Sequence, residues 1–280
     1  MPLGKNRAVR CCMEYLGFIL LLLMIVLGLV ALFYYLSRHA PTSTQEPTAA
    51  YRTVILDAGH GGEDGGAIGQ LDGREICEKD INLAITLILR DMLEADGVNV
   101  ILTREEDVLL YDHNTDYQGR KKALDLAARL YVGENTPDAL FVSIHMNAFT
   151  QPQYHGLQVY YSPNHALSGI LAENIQTGTE QQLQKDNGRK IKRADSGIFL
   201  LDRLHCPAVL VECGFLSNPD DCRLLTQESY QKKIAFVLFC AIRQTLIETK
   251  NGKEDPVWWT KTEVLLPKDL IFDPKCFIMI

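Results

Sequence analysis

The sequence predicts a single layered α/β domain with a mostly parallel central sheet flanked by helices, preceded by an N-terminal transmembrane helix. From Thr53 onward, short apolar runs alternate with longer segments whose apolar residues have the i, i+3, i+4, i+7 spacing of an amphipathic helix. Strands that alternate with helices are typical of a parallel sheet covered by helices. The length of 280 residues suffices for one ordinary domain with extensions.

The first element is Leu16–Leu36, a run of 21 residues without a charge. As a helix rising ~1.5 Å per residue, it would span roughly 30 Å, the thickness of a bilayer's hydrocarbon core. A secretory signal has a shorter apolar region of ~7–15 residues, so the run favours an uncleaved anchor over a cleaved signal. Three basic residues precede the run and only Arg38 follows closely. The positive-inside rule therefore predicts a cytoplasmic N-terminus over residues 1–15 and a single-pass cell-membrane protein whose remainder is extracytoplasmic.

Residues 37–50 are small, polar and proline-containing, which is typical of a flexible linker. We assign residues 51–249 to the folded domain, and residues 250–280 to a C-terminal tail of unknown role. The first strand of the domain runs into a glycine-rich loop, Gly59–Gly69. In chain order the predicted elements are strand Thr53–Asp57, helix Glu78–Ala95, strand Val98–Leu102, helix Arg120–Val132, strands Ala139–Ile144 and Leu157–Tyr161, helix Ala166–Leu183, strand Ala208–Val211 and helix Tyr230–Ile247.

Charge and cysteine content exclude two classes of site. Residues 1–50 carry a net charge of +2, which leaves −9 for the remainder of a chain with −7 overall. A domain this acidic lacks the basic face that nucleic acids need, so we expect no nucleic-acid partner. No cysteine beyond the linker shows the C-x2-C pairing of a structural zinc site, and we expect most of them to be buried free thiols. They are Cys77, Cys206, Cys213, Cys222, Cys240 and Cys276.

Polar residues suited to metal chemistry follow three of the predicted strands. His60 follows the first strand, His145 follows Ala139–Ile144, and Glu212 follows Ala208–Val211. Because the carboxyl ends of parallel strands share one edge of a sheet, we expect the three side chains to converge there. Catalytic zinc sites commonly use three protein ligands, such as two histidines and a carboxylate, and keep one position open.

The residues alone leave open which carboxylate would be the third metal ligand. Glu78, near the start of the helix after the glycine loop, is the best local candidate, while Asp64, Glu75 and Asp80 compete with it on spacing. Glu212 would then remain as general base and acid. Ordinary structural roles for these side chains stay open at this point. The glycine loop fits neither G-x-G-x-x-G nor the P-loop, and no G-x-S-x-G nucleophile motif occurs.

Four ordered segments carry a resemblance to a known family. VILDAGHGGEDGGAIG, EKDINLAI, FVSIHMNA and PAVLVECGFLSN resemble the motifs of the zinc-dependent N-acetylmuramoyl-L-alanine amidases, the amidase type 3 family of cell-wall enzymes. The similarity runs from about Thr53 to about Thr245. It implies one zinc ion bound by His60, Glu78 and His145, with Glu212 as the catalytic carboxylate that takes the proton of the zinc-activated water. The implied reaction is hydrolysis of the amide between the lactyl group of N-acetylmuramic acid and L-alanine in peptidoglycan.

A finer resemblance concerns the substrate. LTREEDVLLYD and GRKKALDLAARL resemble the branch of the family that acts on spore-cortex peptidoglycan during sporulation. No separate wall-binding module is visible, so targeting would depend on the membrane anchor or on an activating protein partner. Two alternatives remain open: a non-catalytic wall-binding module that retains the fold, and a zinc peptidase that cuts within the stem peptide.

Overall fold

The structure is a computed structural model that describes residues 23–31, 51–111 and 119–250, with only the backbone given for the last residue. The chain divides into two units, Met1–Pro47 and Thr48–Ile280. In the first unit, residues 23–31 are helical and exposed. None of the helices that the structure describes is long and apolar enough to cross a membrane. Most of the predicted anchor, all of the linker 37–50 and the tail after residue 250 lie outside the described residues.

The second unit is built on a six-stranded sheet with the strand order β4-β1-β5-β8-β6-β7. The four strands β4, β1, β5 and β8 are parallel, whereas β6 runs antiparallel to β8 and pairs in parallel with β7. A separate hairpin is formed by β2 and β3. The elements are β1 Thr53–Ala58, β2 Ile68–Leu71, β3 Arg74–Cys77, α1 Glu78–Ala95, β4 Asn99–Leu102, α2 Lys121–Glu134, β5 Ala139–Asn147, β6 Gln158–Tyr161, α3 Ala166–Gln182, β7 Lys192–Arg193, α4 Phe199–Arg203, β8 Ala208–Phe215, α5 Pro219–Leu225 and α6 Glu228–Lys250.

Helices cover both faces of the sheet, as the alternating pattern predicts. One face packs against α1, α3 and α6, and α1 contributes a stripe of four buried residues at i, i+4 spacing: Ile81, Ile85, Leu89 and Leu93. The other face is smaller and packs residues such as Ile55 and Phe141 against α2 and α4. Side chains alternate between the two faces along a strand, so every second residue of a strand belongs to this second face. Toward the carboxyl ends of the strands, the residues on this face are polar.

Two strands are longer than the sequence predicts. His145 and Glu212 were expected just after their strands, but they lie within β5 and β8. The reason is that the parallel ladder continues and pairs His145 with Glu212 before a register shift at Asn147. The β2–β3 hairpin was also missed. Its turn is Asp72-Gly73, with both φ angles positive (50° and 75°), which is the residue pair that two-residue hairpin turns favour.

The prediction of mostly buried free thiols is confirmed for two of the five described cysteines, and the other three are free but only partly buried. Among the described cysteines none forms a disulfide, and two of them, Cys213 and Cys222, are fully buried. Cys276 lies outside the described residues. The free thiols in the described part of the chain are Cys77, Cys206, Cys213, Cys222 and Cys240.

Candidate metal centre

His60 is positioned by a tight loop that follows β1. Its φ of +60° lies in the left-handed region, which a residue with a side chain seldom adopts without support from its surroundings. The preceding Gly59 permits a close approach of β5: a Cβ at this position would lie 2.2 Å from His145 Nε2. The loop therefore needs glycine at position 59 so that the two imidazoles can come together.

Two buried arginines hold the carbonyl groups of this loop. Arg129 Nη2 donates to the His60 carbonyl oxygen at 2.8 Å, and its Nη1 donates to the Ala58 carbonyl oxygen at 2.8 Å. Arg104 donates from Nε to the Ala58 carbonyl oxygen at 2.9 Å and from Nη2 to that of Gly59 at 3.0 Å. The fixed fork of a guanidinium suits such multiple contacts. These bonds offset the cost of the unusual backbone conformation at His60.

Arg129 is itself fixed by two carboxylates. Its side chain is only 2% exposed, and it pairs with Asp57 at 2.5 Å and Asp125 at 2.8 Å. Burial acts to raise the pKa of Asp57, but the Arg129 charge and the hydrogen bond from Ser143 outweigh it and hold that pKa below its ordinary value. Because each charge is paired and hydrogen-bonded, the loss of either partner would leave an uncompensated buried ion.

Glu78 is the first residue of α1, and its carboxylate is buried beneath the glycine loop. Oε2 accepts a hydrogen bond from the Ala67 amide at 2.7 Å, and Oε1 accepts one from the Met146 amide at 2.9 Å. Position 66 must be small, because a Cβ on Gly66 would lie 2.5 Å from Glu78 Oε2. Burial alone would raise the pKa of Glu78, but hydrogen bonds with His145 and His60 hold it far below the ordinary value.

The structure brings together His60, Glu78 and His145, as the sequence predicts. Their donor atoms lie within 4.8 Å of one another, and among the described residues this is the group that could hold a metal ion. Glu78 Oε1 is 2.8 Å from His145 Nδ1 and 3.4 Å from His60 Nε2. Ligands of a tetrahedral zinc, each ~2.0–2.2 Å from the ion, are separated by roughly 3.3 Å. The donor set and its spacing therefore fit a zinc ion.

The surroundings of the three competing carboxylates distinguish them from Glu78. Glu75 and Asp80 are exposed, whereas Asp64 is half-buried with Oδ2 placed 3.0 Å from His60 Nδ1. That contact lacks hydrogen-bond alignment, so His60 Nδ1 is a buried nitrogen without a hydrogen-bond partner. Burial acts to lower the pKa of His60, but contacts with Glu78 and Asp64 raise it above its ordinary value. A metal ion bound at His60 Nε2 would replace the proton on that nitrogen, and the Nδ1 proton would remain facing Asp64.

Glu212 lies beside this cluster, on the strand next to His145. Its Oε2 is buried, and no group in the described part of the chain forms a hydrogen bond with it. Burial raises its pKa to about 7, while the nearby His145 lowers it and Glu78 raises it further. A carboxyl group that titrates near neutral pH can both accept and return a proton, which is the requirement for a general base that later acts as an acid.

Sequence reasoning did not identify the residues that support the cluster. Arg104, in the loop after β4, and Arg129, on α2, hold the His60 loop, and Asn82 donates to the Glu78 carboxylate at 3.2 Å. The position of Asn82, one turn after Glu78 on the same helix face, is a signal that could have identified it. The arginines carry no local signal of this role, because the carbonyl groups of the His60 loop that they contact are distant in sequence.

Comparisons with known proteins agree with this geometry. The sequence profile of the amidase type 3 family, described as N-acetylmuramoyl-L-alanine amidase, matches residues 54–244. The germination-specific N-acetylmuramoyl-L-alanine amidase of Bacillus subtilis is 36% identical over 203 residues, which cover 72% of this chain and 83% of that protein.

Two solved structures of amidases are also similar to this chain. The CwlD amidase of Clostridioides difficile, solved in complex with the GerS lipoprotein, has 44% identity and a TM-score of 0.65, over 70% of this chain and 98% of that chain. The catalytic domain of CwlV, an N-acetylmuramoyl-L-alanine amidase from Bacillus (Paenibacillus) polymyxa var. colistinus, has 27% identity and a TM-score of 0.57, over 70% and 98% of the two chains.

Proposed function

The chain belongs to the amidase type 3 family of N-acetylmuramoyl-L-alanine amidases, and we propose that it hydrolyses the lactyl amide of peptidoglycan with one zinc ion. The observation that carries this proposal is the convergence of His60, Glu78 and His145 beside Glu212, a half-buried residue whose Oε2 is buried without a hydrogen-bond partner among the described residues. Two imidazoles and a carboxylate form a ligand set used by catalytic zinc sites. A zinc ion bound there would polarise the scissile carbonyl group and lower the pKa of a water molecule.

We assign the proton transfers to Glu212. Its carboxylate takes a proton from water as the oxygen attacks the lactyl carbonyl carbon, and it then gives that proton to the nitrogen of L-alanine as the C–N bond breaks. The products are a lactyl carboxylate and a stem peptide with a free amino group. The second oxygen of Glu212 has no competing hydrogen bond in the structure, so it is available to the reacting groups.

Analysis of the products tests the bond that is cut. Purified full-length protein, loaded with zinc in detergent, is incubated with disaccharide-peptides, and the products are identified by mass spectrometry. We expect intact disaccharide with a free lactyl carboxylate together with whole stem peptides, and we expect chelation to stop the reaction reversibly. Fragments cut within the stem peptide would support a zinc peptidase instead. A protein that binds the muropeptide without cleaving it would support a non-catalytic wall-binding module.

The cellular setting is a further part of the proposal. We place the amidase domain outside the cell membrane, anchored by Leu16–Leu36, because this run is uncharged and basic residues precede it. Detergent-dependent release of the full chain from membranes would support the anchor, and release by salt alone would contradict it. The germination-specific relative supports spore-cortex peptidoglycan as the substrate, which a rate comparison between cortex and vegetative fragments tests. The relative solved with a lipoprotein supports an activating protein partner, tested by adding the cognate lipoprotein to the assay.

A further inference from the structure

A basic segment lies close to the proposed catalytic edge and has no role in the mechanism above. Residues 185–193 (KDNGRKIKR) contain five basic side chains and one acidic one, in a chain whose net charge is −7. Most of the segment is exposed, and its last two residues form the edge strand β7. Arg189 differs from its basic neighbours because it is partly buried and held by several contacts.

The Arg189 guanidinium is fixed in one orientation. Nε donates to the His155 carbonyl oxygen at 2.7 Å, Nη1 donates to Gln158 Oε1 at 3.2 Å, and the group lies over the Phe215 ring at 4.6 Å. Within the part of the chain that the structure describes, Nη2 donates to no protein acceptor. A guanidinium that is pre-oriented and retains unused donors is suited to binding a carboxylate, which accepts two parallel N–H bonds.

The position of Arg189 relative to Glu212 follows from the strand register. Gln158 on β6 is the antiparallel partner of Glu212, and Glu212 is the parallel partner of His145, so the three side chains form a row on one face of the sheet. Strands are ~4.8 Å apart, which places Gln158 roughly 10 Å from the metal-binding strand. Arg189 is hydrogen-bonded to Gln158 and therefore extends the row beyond the catalytic carboxylate.

A cleft opens at this end of the row. It has a volume of about 330 Å³ and is lined by residues that include Tyr154, His155, Asn187 and Arg189. A substrate whose scissile amide lies at the metal cluster can extend over Glu212 toward this cleft. The acidic Asp186 also lines it, which disfavours a polyanion and favours a ligand with isolated charges.

We propose that Arg189 binds the α-carboxylate of the second residue of the stem peptide while the lactyl amide lies at the metal cluster. This inference rests on the proposed amidase function and adds a specificity subsite to it. Two residues of extended peptide reach roughly 7 Å, and with one hydrogen bond of ~2.8 Å they span the roughly 10 Å to the strand of Gln158, whose side chain Arg189 contacts. The peptide is favoured over the glycan because the acetamido and hydroxyl groups of the sugar carry no charge.

Two substrates that differ in one group test the subsite. Both are disaccharide-dipeptides, so that the second residue ends the peptide, and its α-carboxylate is free in one and amidated in the other. With the zinc-loaded full-length chain in detergent, we expect kcat/KM to be about tenfold higher for the free carboxylate, the low end of the range for a charge-assisted hydrogen bond because the site is partly exposed. The difference should lie mainly in KM.

Three variants separate binding from structural support. Arg189→Gln should reduce the ratio between the two substrates to about one, and Arg189→Lys should restore part of it. Lys185→Gln makes the same change of charge on an exposed residue of the segment and should retain the ratio of the unmodified protein. In the slow Glu212→Gln background, the dissociation constant for the free-carboxylate substrate should rise by a similar factor on adding Arg189→Gln.

The outcomes are distinguishable from failure of the proposed function. An unmodified protein that cleaves neither substrate contradicts the amidase assignment itself. Cleavage of both at equal rates contradicts the subsite alone. An Arg189→Gln variant that loses the same factor on both substrates would show that Arg189 only supports the fold through Phe215 and His155.

Discussion

His145 and Glu212 lie directly opposite each other on adjacent parallel strands, at the last aligned pair before the register of β5 and β8 shifts. This pairing places an imidazole of the candidate metal cluster and the Glu212 carboxylate side by side on the same face of the sheet. Glu78 reaches the same imidazole from the start of α1, at 2.8 Å from His145 Nδ1. The two glutamates therefore differ in role, since one is saturated by hydrogen bonds and the other has an oxygen without a partner.

The first prediction follows from this difference. Glu212→Gln should retain the metal, because the three ligands are unchanged, but should lose turnover by a factor of about 10²–10⁴, the usual contribution of general acid–base catalysis. Metal content is measured by elemental analysis and turnover by release of stem peptides. Glu173→Gln, on an exposed site of α3, serves as the matched control. A near-native rate for Glu212→Gln would remove this residue from the mechanism.

The second prediction concerns the stability of the metal-free protein against pH. Burial raises the pKa of Glu212 from 4.5 to about 7, so the folded state binds its proton more tightly than the unfolded state does. The contribution of Glu212 to the free energy of unfolding should therefore fall as the pH rises from about 4.5 and level off above about 7. At ~1.36 kcal/mol per pKa unit, the loss reaches roughly 3 kcal/mol as an upper bound.

Glu212→Gln has no titrating group at this position and should lack this loss. Denaturant unfolding in the presence of a chelator, between pH 5 and pH 8, gives the difference between the two proteins, and other titrating groups cancel. We expect the variant to become the more stable protein at pH 8. If the free energy of unfolding changes with pH in the same way in both proteins, burial does not raise the pKa of Glu212.

The sequence and the structure agree where local signals and parallel topology are sufficient. The convergence of His60 and His145 was predicted from the order of strands, because parallel strands end at one edge. Glu78 was selected from four carboxylates only by the family resemblance; the structure gives the physical reason, which is that Glu75 and Asp80 are exposed and only Glu78 lies under the glycine loop.

The support of the site could not be predicted from the sequence. Arg129 lies in an amphipathic helix pattern where an arginine ordinarily faces solvent, yet its side chain is 2% exposed and contacts a carbonyl group 69 positions away. The antiparallel direction of β6 could not be predicted either, since a strand of four residues carries no signal of its direction. That direction decides which residue lies beside Glu212.

The third prediction tests the close approach of the His60 loop and β5. A Cβ on Gly59 would lie 2.2 Å from His145 Nε2, far inside van der Waals contact, so Gly59→Ala should displace the imidazole and weaken metal binding. Competition with a colorimetric chelator measures the affinity, which we expect to fall more than tenfold, together with activity. Gly169→Ala, whose Cβ would meet only an ordinary contact at 4.0 Å, should bind metal normally. Equal affinities in the two variants would contradict the geometry of the cluster.

The fourth prediction concerns Arg129, which contacts the main-chain carbonyl group of His60. Arg129→Lys keeps the charge that Asp57 needs but cannot reproduce the forked contacts with the carbonyl groups of Ala58 and His60. Freed from these bonds, His60 should relax from its φ of +60°, and metal affinity should fall about 10–100-fold, as is typical when groups that orient ligands are lost. Arg120→Lys, an exposed substitution at the start of α2, is the control. If Arg129→Lys lowers the melting temperature but leaves the metal dissociation constant unchanged, then Arg129 stabilises the fold without orienting the ligand, and the strain at His60 is borne by Arg104.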